Sequence, residues 1–293
     1  MVVRALAADA KLEVEQTANR GHAAALACRA MRDGVDVVVA IGGDGTVNEV
    51  VNGLLTDGVH ATVPALAVVP AGSTNVFARA LGLPNDAVEA TSVLIDAMHA
   101  HRSRRIGLGK ADGRWFAFAA GFGLDAAVVG QVEDHRRRGR RSTHALYLRT
   151  AARAFFEQDR RHPAISLHVP DSPAVSGLYL AIVTNCDPWT FLGNRPVSPT
   201  PWASFDRQLD LYARTRMSTL GVLLAAGRMI SRADAERRRR RPPRQLGAHI
   251  EHDLAEFDLV ADRPLPFQVD GDAMGARTAV HLQAVPDALR VYA

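Results

Sequence analysis

Apolar residues recur at helical spacing from Gly21 to Arg32, and Gly34 then stops that helix. The run Val35 to Ile41 follows as a buried parallel strand. It ends in Gly42-Gly43-Asp44-Gly45-Thr46, after which Val47, Val50, Val51, Leu54 and Leu55 mark one face of a second helix. The same grammar repeats: a strand from Ala65 to Val69, a turn Pro70-Ala71-Gly72-Ser73-Thr74-Asn75, and a helix from Val76 to Leu81. Two strand-turn-helix units in succession predict a parallel α/β sheet. Beyond about residue 103 the period shortens to that of strands, over Trp115–Ala120, Ala164–Val169, Leu178–Thr184, Leu209–Ala213 and His249–Val260. Asp112-Gly113 suits a hairpin turn, and a helix is expected from Ala145 to Phe156. The pattern predicts two domains: an α/β domain over residues 1–103, with residues 276–293 returning to it, and a mainly antiparallel β domain over 104–275.

The 293 residues suffice for two cores, and 47% hydrophobic against 23% charged residues excludes a disordered chain. The net charge of +4 conceals clustering at Arg136–Arg138, Arg140, Arg141 and Arg237–Arg241. The stretch from Arg232 to Arg244, ending near Pro242-Pro243, reads as an exposed, mobile loop. Cys28 and Cys186 are far apart and form no zinc spacing, so two free thiols in a reducing compartment are expected. No apolar run approaches the roughly 20 residues of a membrane span, and Met1-Val2-Val3-Arg4 lacks a signal-peptide layout. A cytoplasmic protein, peripheral to the inner face of the membrane, is the expectation.

A glycine turn between a strand and a helix leaves backbone N–H groups unpaired at the positive end of the helix dipole, a ready anion site. Gly42, Gly43 and Gly45 let a phosphate approach the backbone, Thr46 adds a hydroxyl, and Asp44 offers a carboxylate for water-bridged magnesium. The same residues would also make a tight structural turn, but an aspartate between glycines has no packing purpose there. Ser73 or Thr74 would cap the next helix, and Thr17 could cap the one before. Asp270-Gly271-Asp272, read alone, favours an ordinary hairpin turn; two acids flanking a glycine at a strand end could equally serve proton transfer and magnesium.

The string Ile41-Gly42-Gly43-Asp44-Gly45-Thr46-Val47-Asn48-Glu49-Val50 resembles the signature of the diacylglycerol kinase catalytic domain family, related to sphingosine and ceramide kinases. Gly72-Ser73-Thr74-Asn75 resembles the family's second nucleotide loop, with Ser73 in place of threonine and Val76 in place of aspartate. Gln16-Thr17 resembles the nucleotide-contacting threonine at the end of the family's second strand, here Lys11 to Thr17. The family opens with a further strand; this chain opens with a helical Val3 to Ala8, so the resemblance implies that the first strand is missing. Gly121 to Ala126 matches an interface turn. Phe205-Asp206-Arg207-Gln208 resembles a structural magnesium segment, which implies Asp206 and the backbones of Ala203 and Gln208 as ligands, although Arg207 replaces a glycine. Asp270-Gly271-Asp272 resembles the active-site segment, with Asp272 in place of glutamate.

The resemblance implies an ATP- and Mg2+-dependent lipid kinase, with diacylglycerol as the first acceptor to consider and a sphingoid base or ceramide as alternatives. An NAD kinase, or an inactive nucleotide- or membrane-binding protein, is the rival reading. The expected nucleotide-binding residues are Thr17, Gly42–Glu49 and Gly72–Asn75; Asp44, Asp270 and Asp272 are the catalytic candidates. Substrate and nucleotide would meet in a cleft between the domains. The arginine-rich segments suit either solvated faces or an anionic membrane. No basic motif with aromatic interleaving or zinc spacing points to nucleic acid. A homodimer is left open.

Overall fold

A computed structural model of the chain describes residues 2–7, 11–123, 162–240 and 247–293. Leu124 to Ala126, Arg136–Arg141, the helix expected over 145–156, and Arg241 with Pro242-Pro243 lie outside the described residues. The chain divides into two units, residues 1–108 with 286–293, and residues 109–285.

In the first unit, α1 is the helix Val2–Leu6, and residues 11–18 are irregular and largely exposed where the resemblance implied a strand from Lys11 to Thr17. Lys11 to Glu15 alternates charged and apolar residues, but among the described strands none pairs with it to satisfy its backbone. The layers proper begin with α2 (His22–Arg32), β1 (Val37–Gly42), α3 (Asp44–Leu54), β2 (Ala65–Pro70), α4 (Val76–Ala80) and α5 (Ala87–His99). β1 and β2 are parallel, registered from Val37 opposite Ala65 to Gly42 opposite Pro70. Every residue of β2 is buried, whereas Val37 to Val39 of β1 are only half-buried and Ile41 is exposed. Among the described strands β1 pairs with β2 alone, which accounts for its departure from the fully buried strand expected.

α2 and α3 cross closely because Gly53 presents no side chain; a Cβ there would stand 2.2 Å from the carbonyl oxygen of Ala24. Asp86 caps α5, its carboxylate accepting from the N–H groups of Val88 and Glu89.

The second unit is antiparallel. The hairpin of β3 (Ser103–Ala111) and β4 (Arg114–Phe116) turns on Asp112-Gly113, both at positive φ as a type I′ turn requires. β5 (Ala119–Gly123), β6 (Ile165–His168), β7 (Val175–Leu178), β8 (Leu180–Thr184), β9 (Thr190–Leu192), β10 (Arg195–Val197) and β11 (Leu209–Arg214) follow. After α6 (Thr219–Ile230) and α7 (Arg232–Arg240) come β12 (Ala248–Leu254), β13 (Glu256–Val269) and β14 (Asp272–Tyr292). β14 pairs with β13 up to Gln283 and touches β2 only at Val291, so residues 276–285 belong to the second unit rather than to the returning segment.

Strand alternation gives this unit two apolar faces. Ala181, Val183, Leu209 and Leu211 join Phe116, Phe122, Phe257 and Phe267 on one side, while Leu180, Ile182 and Tyr212 meet Met217 on the other. α6 covers the second face with Val222 and Met229.

α7 takes up Arg232–Arg240 of the loop expected over Arg232 to Arg244. Arg238 is 1% exposed: its guanidinium pairs with Asp234 at 3.0 Å and donates to the carbonyls of Pro199 (3.0 Å), Ser198 (2.8 Å) and Arg228 (3.2 Å). Arg239 donates to Pro201 O and pairs with Asp187, both at 2.6 Å. Two of the five arginines therefore hold the protein together, and Arg237 is exposed. The carbonyls of the 198–201 loop have no ladder of their own, and arginine, with five donors, can satisfy several at once.

Candidate functional site

The C-terminal ends of β1 and β2 lie in register, so the turns after them are neighbours. Gly43 is the N-cap of α3 in extended conformation and brings no side chain of its own to cap the helix. The first amides of α3, at residues 44–46, therefore point beyond the helix start with the dipole behind them. Ala71 N–H donates to Gly42 O at 3.0 Å, and the two loops touch backbone to backbone. A Cβ on Gly72 would come within 2.6 Å of Gly43 Cα and 2.8 Å of Asn75 Oδ1, so this contact admits only glycine. Asn75, left-handed at φ 50°, holds the second loop through Gly72 N–H (2.8 Å to Oδ1) and Gly72 O (3.0 Å from Nδ2), and donates to Asn85 Oδ1 at 2.8 Å.

Asp44 joins the loops from the other side: its Oδ1 accepts from Phe77 N–H at 3.1 Å. The Arg79 guanidinium feels the charge of Asp44, although partial burial pulls its pKa down. Sequence reading passed over Arg79 and Asn85; a basic residue one helical turn after the second loop was the available signal.

The predicted nucleotide residues divide. Gly42, Gly43, Asp44, Gly45, Thr46, Gly72, Ser73 and Thr74 line the paired turns with surface accessible, while Asn75 is buried and serves the loop's shape. Val47 and Asn48 are buried within α3 and are unavailable to a ligand. Glu49 points to the start of α2, accepting from Gly21 N–H (2.8 Å) and Ala23 N–H (3.2 Å), and so caps that helix. Those three sit past the first turn of α3, where the helix surface faces its own unit rather than the loop. Thr17 lies in the irregular stretch, exposed, at no strand end.

In the second unit, β13 and β14 meet at Asp270-Gly271, with Val269 opposite Asp272 and positive φ at both turn residues. The segment is thus a type I′ hairpin turn. Asp270 is 4% exposed, and its carboxylate accepts three backbone N–H groups: Ala117 at 2.6 Å, Phe118 at 3.0 Å and Ala119 at 3.0 Å. This corrects its reading as proton acceptor: the lone pairs are engaged in holding the N–H groups of residues 117–119. Asn185 completes the knot by donating to Ala117 O at 2.9 Å. Asp272 is different. It is partly exposed, with Arg114 Nη2 at 3.7 Å from its Oδ2.

The residues implied as metal ligands lie in the segment leading into β11. Asp206 is exposed with its Oδ2 accepting from Ser204 Oγ, Ala203 is buried, and Gln208 N–H donates to Asp253 Oδ1 at 2.9 Å. Arg207 donates instead to His252 Nε2 at 3.2 Å, so the imidazole proton sits on Nδ1, which faces Asp210 Oδ1 at 2.5 Å. Burial pushes the Asp210 carboxyl upward, against the hydrogen bonds from Asp253 N–H and His252. Among the described residues no group of three or more acidic, histidine or cysteine side chains could hold a metal.

The family described as "Diacylglycerol kinase catalytic domain" matches residues 2–111. Proteins named diacylglycerol kinase from Staphylococcus aureus strains JH9 and Newman are each 41% identical over 112 residues, covering 38% of this chain and 31% of their own length. The match thus spans about a third of these relatives. Among solved structures, a diacylglycerol kinase from Bacillus anthracis str. Sterne aligns with a TM-score of 0.70 at 18% identity, covering 98% of this chain and 87% of that one. An NAD kinase from Archaeoglobus fulgidus, solved in complex with ATP, aligns with a TM-score of 0.50 at 10% identity, over 100% and 86%. The resemblance seen in the glycine-aspartate turn is therefore found again in sequence over residues 2–111, as similarity to the diacylglycerol kinase catalytic domain, and in fold along nearly the whole chain.

Proposed function

We propose that the chain is an ATP-dependent lipid kinase that transfers the terminal phosphoryl group of ATP to a lipid hydroxyl, with diacylglycerol the acceptor and phosphatidic acid the product. The observation that carries this reading is the pair of abutting turns, Gly42–Thr46 and Gly72–Thr74, with the start of α3 at the first of them. Such a site favours phosphate. The match to the diacylglycerol kinase catalytic domain falls on this same unit.

The amides of residues 44–46 would receive phosphate oxygens, and the hydroxyls of Thr46, Ser73 and Thr74 would add donors. Magnesium arriving with ATP would offset phosphate charge, and Asp44 would be the carboxylate for its water shell. The lipid oxygen forms the new bond to the terminal phosphorus as the bond to the bridging oxygen breaks and ADP leaves. The hydroxyl proton passes to a carboxylate, and Asp272 is the acid proposed for that role.

The test is transfer from labelled ATP in mixed micelles to diacylglycerol, a sphingoid base, ceramide and NAD in parallel. Labelled phosphatidic acid is expected. Labelling of NAD alone would favour the dinucleotide reading, and ATP-dependent thermal stabilisation without any labelled product would favour a non-enzymatic one.

A further inference from the structure

We propose that the outer face of α6, with the arginines around it, docks on the surface of an anionic phospholipid bilayer.

α6 is apolar on two sides. Its inner side, Val222, Ala225 and Met229, packs on the core. Leu220, Leu223 and Leu224 form a separate stripe at i, i+3 and i+4, with 70%, 65% and 57% of their surface exposed. Isolated surface leucines need no explanation, but three on one helical stripe do. Gly227 extends the stripe without adding bulk. The helix carries no acidic residue.

The charge around the stripe selects the occupant. Arg216 precedes the helix N-cap, Arg228 lies in its last turn, and Arg237 is on α7, whose Arg238 is tied to the Arg228 carbonyl. All three side chains are exposed, and the nearby acid on α7, Asp234, is paired with Arg238; Glu236 is the one exposed acid on that helix. An apolar stripe edged by arginines matches acyl chains beneath anionic headgroups. At 12 residues, about 18 Å, α6 is too short to cross a bilayer and would lie along the interface. Three leucines are also far fewer than the roughly 20 residues a side of a stable protein interface, which argues against a second copy of the chain.

The proposal rests on the lipid-kinase reading only in expecting the acceptor to reside in a membrane. Its test is therefore free of ATP: sedimentation of the full chain with phosphatidylcholine vesicles containing phosphatidylglycerol, and with phosphatidylcholine vesicles alone. Binding to the anionic vesicles that falls with salt is expected. L220Q/L223Q/L224Q, folded by circular dichroism, should bind at least ~10-fold more weakly at any salt concentration. R216Q/R228Q/R237Q should lose a similar factor at low salt and little at high salt.

Unchanged vesicle binding by a folded leucine variant would overturn the proposal. So would a concentration-dependent dimer that the leucine variant abolishes, with no vesicle binding by either protein. Phosphoryl transfer to a short-chain lipid dispersed as monomers tests the kinase reading without the surface, and the two failures are thereby told apart.

Discussion

The Gly42–Thr46 turn and the Asp270–Asp272 turn are built from the same residue types, glycine and aspartate at a strand end, yet they treat backbone amides in opposite ways. At the first, the amides of residues 44–46 face outward while the Asp44 carboxylate reaches away to Phe77 N–H and ties down the second loop. At the second, the Asp270 carboxylate turns inward and takes the amides of Ala117, Phe118 and Ala119. One aspartate keeps a backbone site open, and the other closes one. What distinguishes them is the element that follows: the first amides of a helix lie outside its own ladder, whereas a hairpin pairs its own backbone and frees the carboxylate to serve a neighbouring segment.

The sharpest break of this comparison is Asp270→Ala. It strands three buried N–H donors and places alanine at φ 47°, and a loss of about 3 to 5 kcal/mol in urea unfolding is expected. An ordinary turn residue would cost less than about 1 kcal/mol, and a loss that small would remove the distinction between Asp270 and Asp272.

Asp44→Asn and Asp272→Asn should each lower lipid phosphorylation by at least ~100-fold with the unfolding midpoint nearly unchanged. The asparagine at 44 can still accept from Phe77 N–H through its own Oδ1, so the loops should hold. Asp272→Glu should retain activity, because the carboxylate survives with one more methylene. Parental turnover in a folded Asp272→Asn protein would return that turn to a purely structural role.

Gly72→Ala attacks the contact between the two turns. With Gly43 Cα at 2.6 Å from the new Cβ, the loops must part, at a cost of about 1 to 3 kcal/mol. Calorimetric titration with ATP should show roughly tenfold weaker binding, and equal affinity would mean that the second loop does not touch the nucleotide.

The smallest effect concerns Asp210, a buried carboxylate less well served than Asp270: its Oδ2 has no partner. Burial raises its folded pKa, so ionisation costs more in the folded than in the unfolded chain. The stability that the protonated form contributes is complete below the unfolded value, about 3.9, and is lost as pH rises through the folded one. Relative to Asp210→Asn, the parent should therefore weaken as pH climbs from about 4 and then level off. Urea midpoints of both proteins from pH 3.5 to 7.5 measure the difference, which a constant offset would contradict.

The first unit was largely legible because its signals are local. The 3.6-residue and 2-residue periods and the glycines at strand ends are each written within a few positions; β1, β2 and α4 stand within a residue or two of where the pattern places them, and α3 begins three residues earlier, inside the predicted turn. The arginine run was not legible. Five consecutive cations read as solvated, but the carbonyls of residues 198–201, some 40 positions upstream, bring Arg238 inside. Likewise the two acids flanking Gly271 look equivalent in sequence, and only the passage of residues 117–119 beside one of them sets them apart.

The sequence by itself thus determined the strand-turn-helix grammar, the parallel and antiparallel halves, and the glycine turns, since these depend on backbone freedom and local periodicity. Tertiary structure alone decided which aspartate is buried, that Glu49 caps α2, that Arg207 turns to His252, and which leucines of α6 face outward. Each of those depends on which distant backbone groups lack a partner, and an unpaired buried donor or acceptor is a property of the packed chain and not of any local segment.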